Sequence, residues 1–241
     1  MKILITNDDG DSEGLRMLLE TARKLGDAYA IVPNRQRSAI SGAVTLHKPI
    51  RLHKIEKDIY SINGTPADCV LFSIYSKEFE KPDLVLSGIN WGDNTGIDSL
   101  LGSGTLGACW KAAIEGIPAI AFSMHKKNRN WRDKGLWGDG KKIGKIISGI
   151  MKKIETKLAP GKFFSVNLPD DLASPKTIFT NQLHYSRFRT RITKKYDPNG
   201  EAYFWTSGGA YGDQQGSDYH EVTENKNITI SEFSLKCFEK E

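Results

Sequence analysis

The sequence predicts an α/β protein with a doubly wound, mostly parallel sheet and a C-terminal β-hairpin extension. Strand and helix signals alternate through the N-terminal half, which is typical of βαβ units whose helices cover both faces of a sheet. The first strand, Lys2–Thr6, is a short and mostly apolar run, as buried parallel strands are. Near the C-terminus, the turn sequence Asp-Pro-Asn-Gly at 197–200 separates two strand-like segments and predicts a hairpin.

Apolar spacing and capping residues define the individual elements. Ser12 precedes leucines that recur at helical spacing, and Thr65 precedes Pro66 at a first helical position, so both are predicted helix caps. The predicted helices cover residues 13–25, 66–79, 105–115 and 141–158. The predicted strands are 2–6, 28–32, 51–55, 59–62, 84–87, 119–123, 163–167, 189–196, 202–206 and 227–230, with loops at 88–104 and 128–140. From residue 176 onward all the signals are β.

The length of 241 residues fits one large domain, because a chain of this size buries about 70–75 % of its unfolded surface. We predict a single α/β domain over residues 1–241, in which residues 176–241 form a β-rich extension. The three cysteines are far apart and form no C-x-x-C pair, which argues against a disulfide framework or a zinc site. A long hairpin outside a parallel sheet often packs on something else, here another subunit.

Composition argues against a membrane protein and indicates a cytoplasmic one. No apolar run approaches the ~18–20 residues of a spanning helix, and the apolar stretch after Lys2 is too short for a signal peptide. The formal net charge is +5, too small by itself to indicate a nucleic-acid partner. The densest basic stretch holds Arg187, Arg189 and Arg191, which we interpret as a solvated strand face; an RNA-binding face is the alternative.

Polar residues that follow three predicted strands indicate a metal site. Asp8 and Asp9 follow the first strand, Ser38 follows the second, and Asn90 follows the strand at 84–87. Because ligands of open α/β sheets bind beyond the carboxyl ends of the strands, we expect these side chains to meet. Carboxylate, hydroxyl and amide oxygens suit Mg²⁺, Mn²⁺ or Ca²⁺. An ordinary Asp-Gly turn at 9–10 is the alternative.

A second feature, Ser103-Gly104-Thr105, stands directly before a predicted helix. Small hydroxyl residues at a helix N-terminus can bind a phosphate group; an ordinary helix cap explains them equally well. Signatures of other enzyme classes are absent from the sequence. The five histidines form no i, i+4 pair, no G-x-S-x-G elbow occurs, and no G-x-G-x-x-G follows the first strand.

Taken in order, these motifs resemble those of the SurE family, the survival-protein nucleoside-monophosphate phosphatases. The resemblance is carried by ILITNDDG at 3–10, VPNRQRSA at 32–39, GTPADCV at 64–70, PDLVLSGIN at 82–90, SGT at 103–105 and GIPAIAFS at 116–123. The N-terminal half matches specifically, and the C-terminal third matches more weakly. The resemblance implies a Rossmann-like SurE fold.

The resemblance also implies an activity and a site. It implies a phosphoric monoester hydrolase of the 5′-nucleotidase type that acts on nucleoside monophosphates or other phosphomonoesters. One divalent ion, Mg²⁺ or Mn²⁺, would be held by Asp8, Asp9, Ser38 and Asn90. Ser103, Gly104 and Thr105 would cradle the phosphate, and Asp8 would serve as base or nucleophile, with Asp9 beside it as the second catalytic carboxylate. The family is cytoplasmic and forms dimers or tetramers that exchange C-terminal elements.

Three departures from the family pattern keep a second function open. The loop after Gly10 is one residue shorter, the stretch from Asn90 to Ser103 is one residue longer, and Lys111 stands where the family usually has a glutamate. The alternative is a regulatory module that binds a metal ion and a nucleotide with little turnover. A phosphatase of the haloacid-dehalogenase type also begins with an aspartate at a strand end, but it needs an Asp-x-Asp spacing, which Asp8-Asp9 does not provide.

Overall fold

The computed structural model describes residues 1–126, 137–185, 188–210, 212 and 214–238. Most of the loop predicted at 128–140, and Arg187, lie outside the described residues. The strands are β1 (Lys2–Thr6), β2 (Asp27–Pro33), β3 (Leu52–Glu56), β4 (Ile59–Ile62), β5 (Leu84–Trp91), β6 (Ala119–Met124), β7 (Lys162–Leu168), β8 (Thr177–Phe179), β9 (Phe188–Tyr196), β10 (Ala202–Ala210) and β11 (Ile228–Ser234). The α-helices are α1 (Glu13–Ala22), α2 (Pro66–Tyr75), α3 (Gly96–Gly102), α4 (Gly104–Ile114), α5 (Gly140–Ile154) and α6 (Asp218–Thr223).

The central sheet has nine strands in the order β3-β4-β2-β1-β5-β6-β7-β11-β8. The six strands from β4 to β7 are parallel, whereas β3 and β11 run antiparallel to their neighbours β4 and β7. From β1 the chain proceeds outward to β2 and β4, and from β5 it proceeds to β6 and β7 on the other side. The strand order therefore reverses between β1 and β5, which is where ligands of this architecture bind.

Helices cover both faces of the sheet, and each face has its own apolar core. On one face, Leu15 and Leu18 of α1 and Ile147 of α5 are fully buried against the strands. On the other face, Val70 of α2 and Cys109 of α4 are fully buried. The doubly wound α/β architecture is thus confirmed. No helix in the described ranges is long and apolar enough to cross a membrane.

Two short helices lie where the sequence predicted other structure. Residues 88–104, predicted as a loop, contain the end of β5 and the helix α3, and the segment after 176, predicted to be all β, contains α6. Both helices depend on Asp218, whose buried carboxylate accepts hydrogen bonds from the backbone N–H groups of Gly96 and His184. Gly96 and His184 are more than thirty residues from Asp218 in the sequence, so no local pattern predicts these hydrogen bonds. Burial raises the pKa of Asp218, while these N–H donors oppose the shift.

The hairpin predicted near the C-terminus is present and separate from the central sheet. Strands β9 and β10 pair antiparallel along their whole length as a two-stranded sheet. Asp197 organises the turn, since its Oδ1 accepts from the backbone N–H groups of Asn199 and Glu201. Arg189 and Arg191 are exposed on β9.

Candidate active site

A pocket of about 350 Å³ opens at the carboxyl edge of the sheet, where the strand order reverses. Its lining comes from the ends of β1 and β5, the loop after β2, and the segment from α3 to the start of α4. The lining residues are Asp8, Asp9, Gln36, Ser38, Ala39, Asn90, Trp91, Asp93, Asn94, Asp98, Ser99, Gly102 and Ser103. The structure therefore brings the four predicted metal ligands together in one pocket.

The turn after β1 holds Asp8 and Asp9 at the rim of the sheet. The side-chain amide of Asn7 donates to the carbonyl oxygen of Gly10 at 2.8 Å, and its Oδ1 accepts from the Gly10 N–H at 3.0 Å. Gly10 has a φ of +82°, a conformation that glycine adopts without strain. Asn7 is fully buried, so the two carboxylates project from a turn that is fixed from beneath.

The loop that carries Ser38 is fastened at both ends. The N–H of Arg37 donates to the carbonyl oxygen of Asp8 at 2.7 Å, and the N–H of Ser41 donates to Gly102 at 3.0 Å. This loop lies directly on α4, because a Cβ added at Gly107 would stand 2.1 Å from the carbonyl oxygen of Ser41. Gly107 is thus required for the close approach.

The N-terminus of α4 meets Asp8, and it gives the three predicted phosphate residues different positions. Ser103 lines the pocket and caps α4, its Oγ accepting from the N–H of Leu106 at 3.3 Å. A Cβ added at Gly104 would be 2.9 Å from the Cβ of Asp8. Thr105 is fully buried, and its hydroxyl donates to Oδ1 of Asp8 at 2.7 Å. Its side chain therefore orients Asp8, and only its backbone remains to contact a phosphate.

The oxygen atoms of two predicted ligands, Asp9 and Ser38, share one hydrogen-bond donor. One donor, Nε2 of Gln36, lies 3.0 Å from Oδ1 of Asp9 and 2.9 Å from Oγ of Ser38. Nδ2 of Asn90 donates to the carbonyl oxygen of Gly92 at 2.8 Å, so Oδ1 is the atom of this amide that a cation would contact. Two carboxylates, a hydroxyl and an amide oxygen form a hard donor set, which fits Mg²⁺, Mn²⁺ or Ca²⁺.

The pocket is acidic. Four of its lining residues are aspartates and, within the described part of the chain, none is a lysine or an arginine. The described residues also contain no group of three or more His, Cys, Asp or Glu side chains suited to a metal ion, so two carboxylates need the serine and the asparagine to complete a site. Such a pocket repels a phosphate dianion unless a cation lies between the two.

Sequence reasoning missed several lining residues, including Gln36, Asp93 and Asn94. Asn94 joins three strand ends, because its Nδ2 donates to Oγ of Ser123 at 2.8 Å and its N–H donates to Oδ1 of Asn167 at 2.7 Å. A signal was available: Asp93 and Asn94 follow β5 within a short polar run that begins at Asn90.

Trp91 forms one wall of the pocket beside a lysine. The Nζ of Lys126 lies 4.3 Å from the centroid of the Trp91 ring, and Trp137 meets that ring edge-on at 4.9 Å. Burial lowers the pKa of Lys126. Trp137 belongs to the segment predicted as a loop at 128–140, and it is buried against the core.

Known proteins with similar sequences and a similar structure carry the same family name. The family model for survival protein SurE matches residues 3–193 of this chain. The 5′-nucleotidase SurE of Thermofilum pendens is 37% identical over 241 residues, which cover 98% of this chain and 91% of that protein. The 5′-nucleotidase SurE of a Thermoanaerobacter species is 43% identical over 216 residues, covering 86% and 81%. The crystal structure of the SurE protein from Aquifex aeolicus superposes with a TM-score of 0.76 at 30% identity, covering 98% of this chain and 94% of that one.

Proposed function

This chain belongs to the SurE family, and from that premise we propose that it is a metal-dependent phosphatase of the 5′-nucleotidase type that hydrolyses nucleoside monophosphates. The relatives named 5′-nucleotidase SurE support a nucleotidase or phosphatase function. The observation that carries the proposal is the acidic pocket at the strand-order reversal, which is lined by Asp8, Asp9, Ser38 and Asn90. A pocket of this charge accepts a phosphate ester only together with a cation.

We assign Asp8, Asp9, Ser38 and Asn90 to one divalent ion, Mg²⁺ or Mn²⁺. When bound, such an ion supplies positive charge that offsets the charge of the phosphoryl oxygens. The protein fixes the ligands in advance, since Thr105 donates to Asp8 and the N–H of Arg37 binds the Asp8 carbonyl oxygen.

The chain's own residues would perform the remaining steps. The first turn of α4 presents backbone N–H groups that have no partner within the helix, and Ser103 stands at that turn facing the pocket. These groups would bind the phosphate oxygens and orient the phosphorus atom. Asp8 is the proposed ligand that contacts α4, and it would act as general base or nucleophile, with Asp9 as the adjacent carboxylate.

Phosphate release from a chelator-stripped protein tests this proposal. A panel of nucleoside monophosphates is assayed with added Mg²⁺, Mn²⁺ or Ca²⁺, beside the variant Asp8→Asn and the control Asp171→Asn, an exposed aspartate outside the pocket. We expect release that depends on the metal and falls by about 100-fold or more in Asp8→Asn. We expect the control to match the wild type. Mn²⁺ binding, measured by calorimetry, should weaken only in Asp8→Asn.

The same experiment separates the alternatives. Metal and nucleotide binding without release from any nucleotide would contradict the phosphatase and favour the regulatory module. Full turnover of Asp8→Asn at saturating metal would show that Asp8 is neither the general base nor the nucleophile.

We further propose that the protein acts in the cytoplasm as a homodimer or homotetramer. Within the predicted extension at 176–241, the hairpin β9–β10 is the part that would be exchanged between subunits, because it stands apart from the central sheet with apolar side chains exposed, whereas β8 and β11 belong to that sheet.

A further inference from the structure

A buried aspartate that lines the pocket is paired with a histidine that follows the next strand of the sheet. Asp93 is 2 % exposed, and its two carboxylate oxygens have different partners. Oδ1 accepts from the hydroxyl of Thr95 at 2.7 Å, and Oδ2 lies 2.7 Å from Nδ1 of His125. The His125 side chain remains 13% exposed, so part of its ring reaches solvent.

The pair lies at the same edge of the sheet as the proposed metal ligands. Asp93 lines the pocket together with Asp8 and Asn90, and His125 follows the last residue of β6. Strand β6 is the neighbour of β5, which is the neighbour of β1. Because adjacent strands lie about 4.8 Å apart, the end of β6 stands about 10 Å from the end of β1. Asp93, which lines the pocket and contacts His125, therefore connects the pocket to the end of β6.

The hydrogen bond to Asp93 determines which ring nitrogen of His125 is available for proton transfer. An ionised carboxylate only accepts hydrogen bonds, so Nδ1 donates to it and Nε2 is the nitrogen available to a substrate. When the ring is protonated, Nδ1 keeps its bond to Asp93 and the second proton is on Nε2. Other charged groups near the ring are Asp170, which follows β7 and interacts electrostatically with His125, and the adjacent Lys126.

We propose that His125, oriented by Asp93, is the general acid that protonates the leaving oxygen of the nucleoside. This inference rests on the proposed phosphatase function. The bond between phosphorus and the ester oxygen breaks, and the electron pair left on that oxygen takes the proton from Nε2. A water molecule forms the new bond to phosphorus and gives up a proton through Asp8, while solvent reprotonates the imidazole. A nucleoside alkoxide is a poor leaving group, and a positioned acid accelerates its departure by about 10²–10⁴-fold.

Neither residue lies in the segments that carry the family resemblance. Asp93 stands between the segments at 82–90 and 103–105, and His125 stands just beyond the segment at 116–123. The pair is therefore an assignment made from this chain's own geometry.

Two substrates with different leaving groups test the assignment. The variants His125→Gln and Asp93→Asn are compared with the wild type on a nucleoside monophosphate and on p-nitrophenyl phosphate, whose phenolate leaves without help from an acid. We expect kcat/KM of His125→Gln to fall by about 100-fold for the nucleotide and by less than about 3-fold for p-nitrophenyl phosphate. Asp93→Asn should show the same contrast with a smaller loss. The exposed His53→Gln is the matched control and should leave both rates unchanged.

The outcomes are distinguishable from a failure of the proposed function. Equal losses on both substrates, or no loss on the nucleotide, would overturn the role of His125. A wild-type protein that binds metal and hydrolyses neither substrate would contradict the proposed phosphatase function, and the role of His125 would fail with it. Because Asp93 is buried, the folding of Asp93→Asn is first checked by thermal unfolding. If that variant is unfolded, the rates of His125→Gln alone test the role of His125.

Discussion

At the scale of single residues, Asp8 depends on a side chain that never faces the substrate. The hydroxyl of Thr105 donates to Oδ1 of Asp8 from a fully buried position. Thr105→Val keeps the shape and removes the donor, which leaves part of the Asp8 carboxylate without its partner. We expect metal affinity and phosphate release to fall by about 10- to 100-fold, and the free energy of unfolding to fall by about 1–3 kcal/mol.

Mn²⁺ titration and urea unfolding check this prediction. Thr105→Ser retains the hydroxyl and should recover most of the metal affinity. If Thr105→Val bound Mn²⁺ as tightly as the wild type, Asp8 would be oriented by its turn alone.

At the scale of elements, two glycines near the start of α4 have opposite tolerances. A Cβ at Gly107 would stand 2.1 Å from the carbonyl oxygen of Ser41, in the loop that carries Ser38, whereas a Cβ at Gly102 would meet nothing within 4 Å. We expect Gly107→Ala to displace that loop, to cost about 1–3 kcal/mol of stability and to weaken metal binding. Gly102→Ala, although it lines the pocket, should keep the wild-type free energy of unfolding. Equal metal affinity in the two variants, measured by calorimetry, would contradict the proposed role of the loop.

The helices and strands differ in how well the sequence predicts them. The bounds of β1 and the cap of α1 were predicted correctly, because apolar runs and capping residues are local signals. Helix α1 ends at Ala22, three residues before the predicted end at Leu25, and turns follow it. The short helix α3 was not predicted, since its first N–H is bound by the carboxylate of Asp218, which is distant in sequence, whereas α6 was missed although Ser217 is a local N-cap.

At the scale of the whole molecule, topology made the candidate site predictable. Parallel strands bring their carboxyl ends to one edge, so residues distant in sequence, such as Asp8 and Asn90, were expected to meet, and both line one pocket. Asp93 was missed although its position after β5 was a signal, and Gln36 was missed because it lies in a loop whose path is set by tertiary contacts. His125 was missed for the same reason, since its partner becomes visible only when β5 and β6 are placed side by side.

The hairpin β9–β10 gives a prediction about assembly. Phe204 and Trp205 are neighbours on β10 and therefore point to opposite faces, yet they are 62% and 60% exposed. Ile192 lies opposite Thr206 on the Phe204 face and is 65% exposed. A small sheet that is apolar on both faces is stable in water only when another surface covers it.

We expect a second copy of the chain to cover the hairpin, and we expect the double variant Phe204→Ser, Trp205→Ser to be monomeric. Light scattering after gel filtration measures this. Lys195→Ser, on the same hairpin, is the control and should keep the wild-type mass. A monomeric wild type at micromolar concentration would show that the hairpin serves another contact.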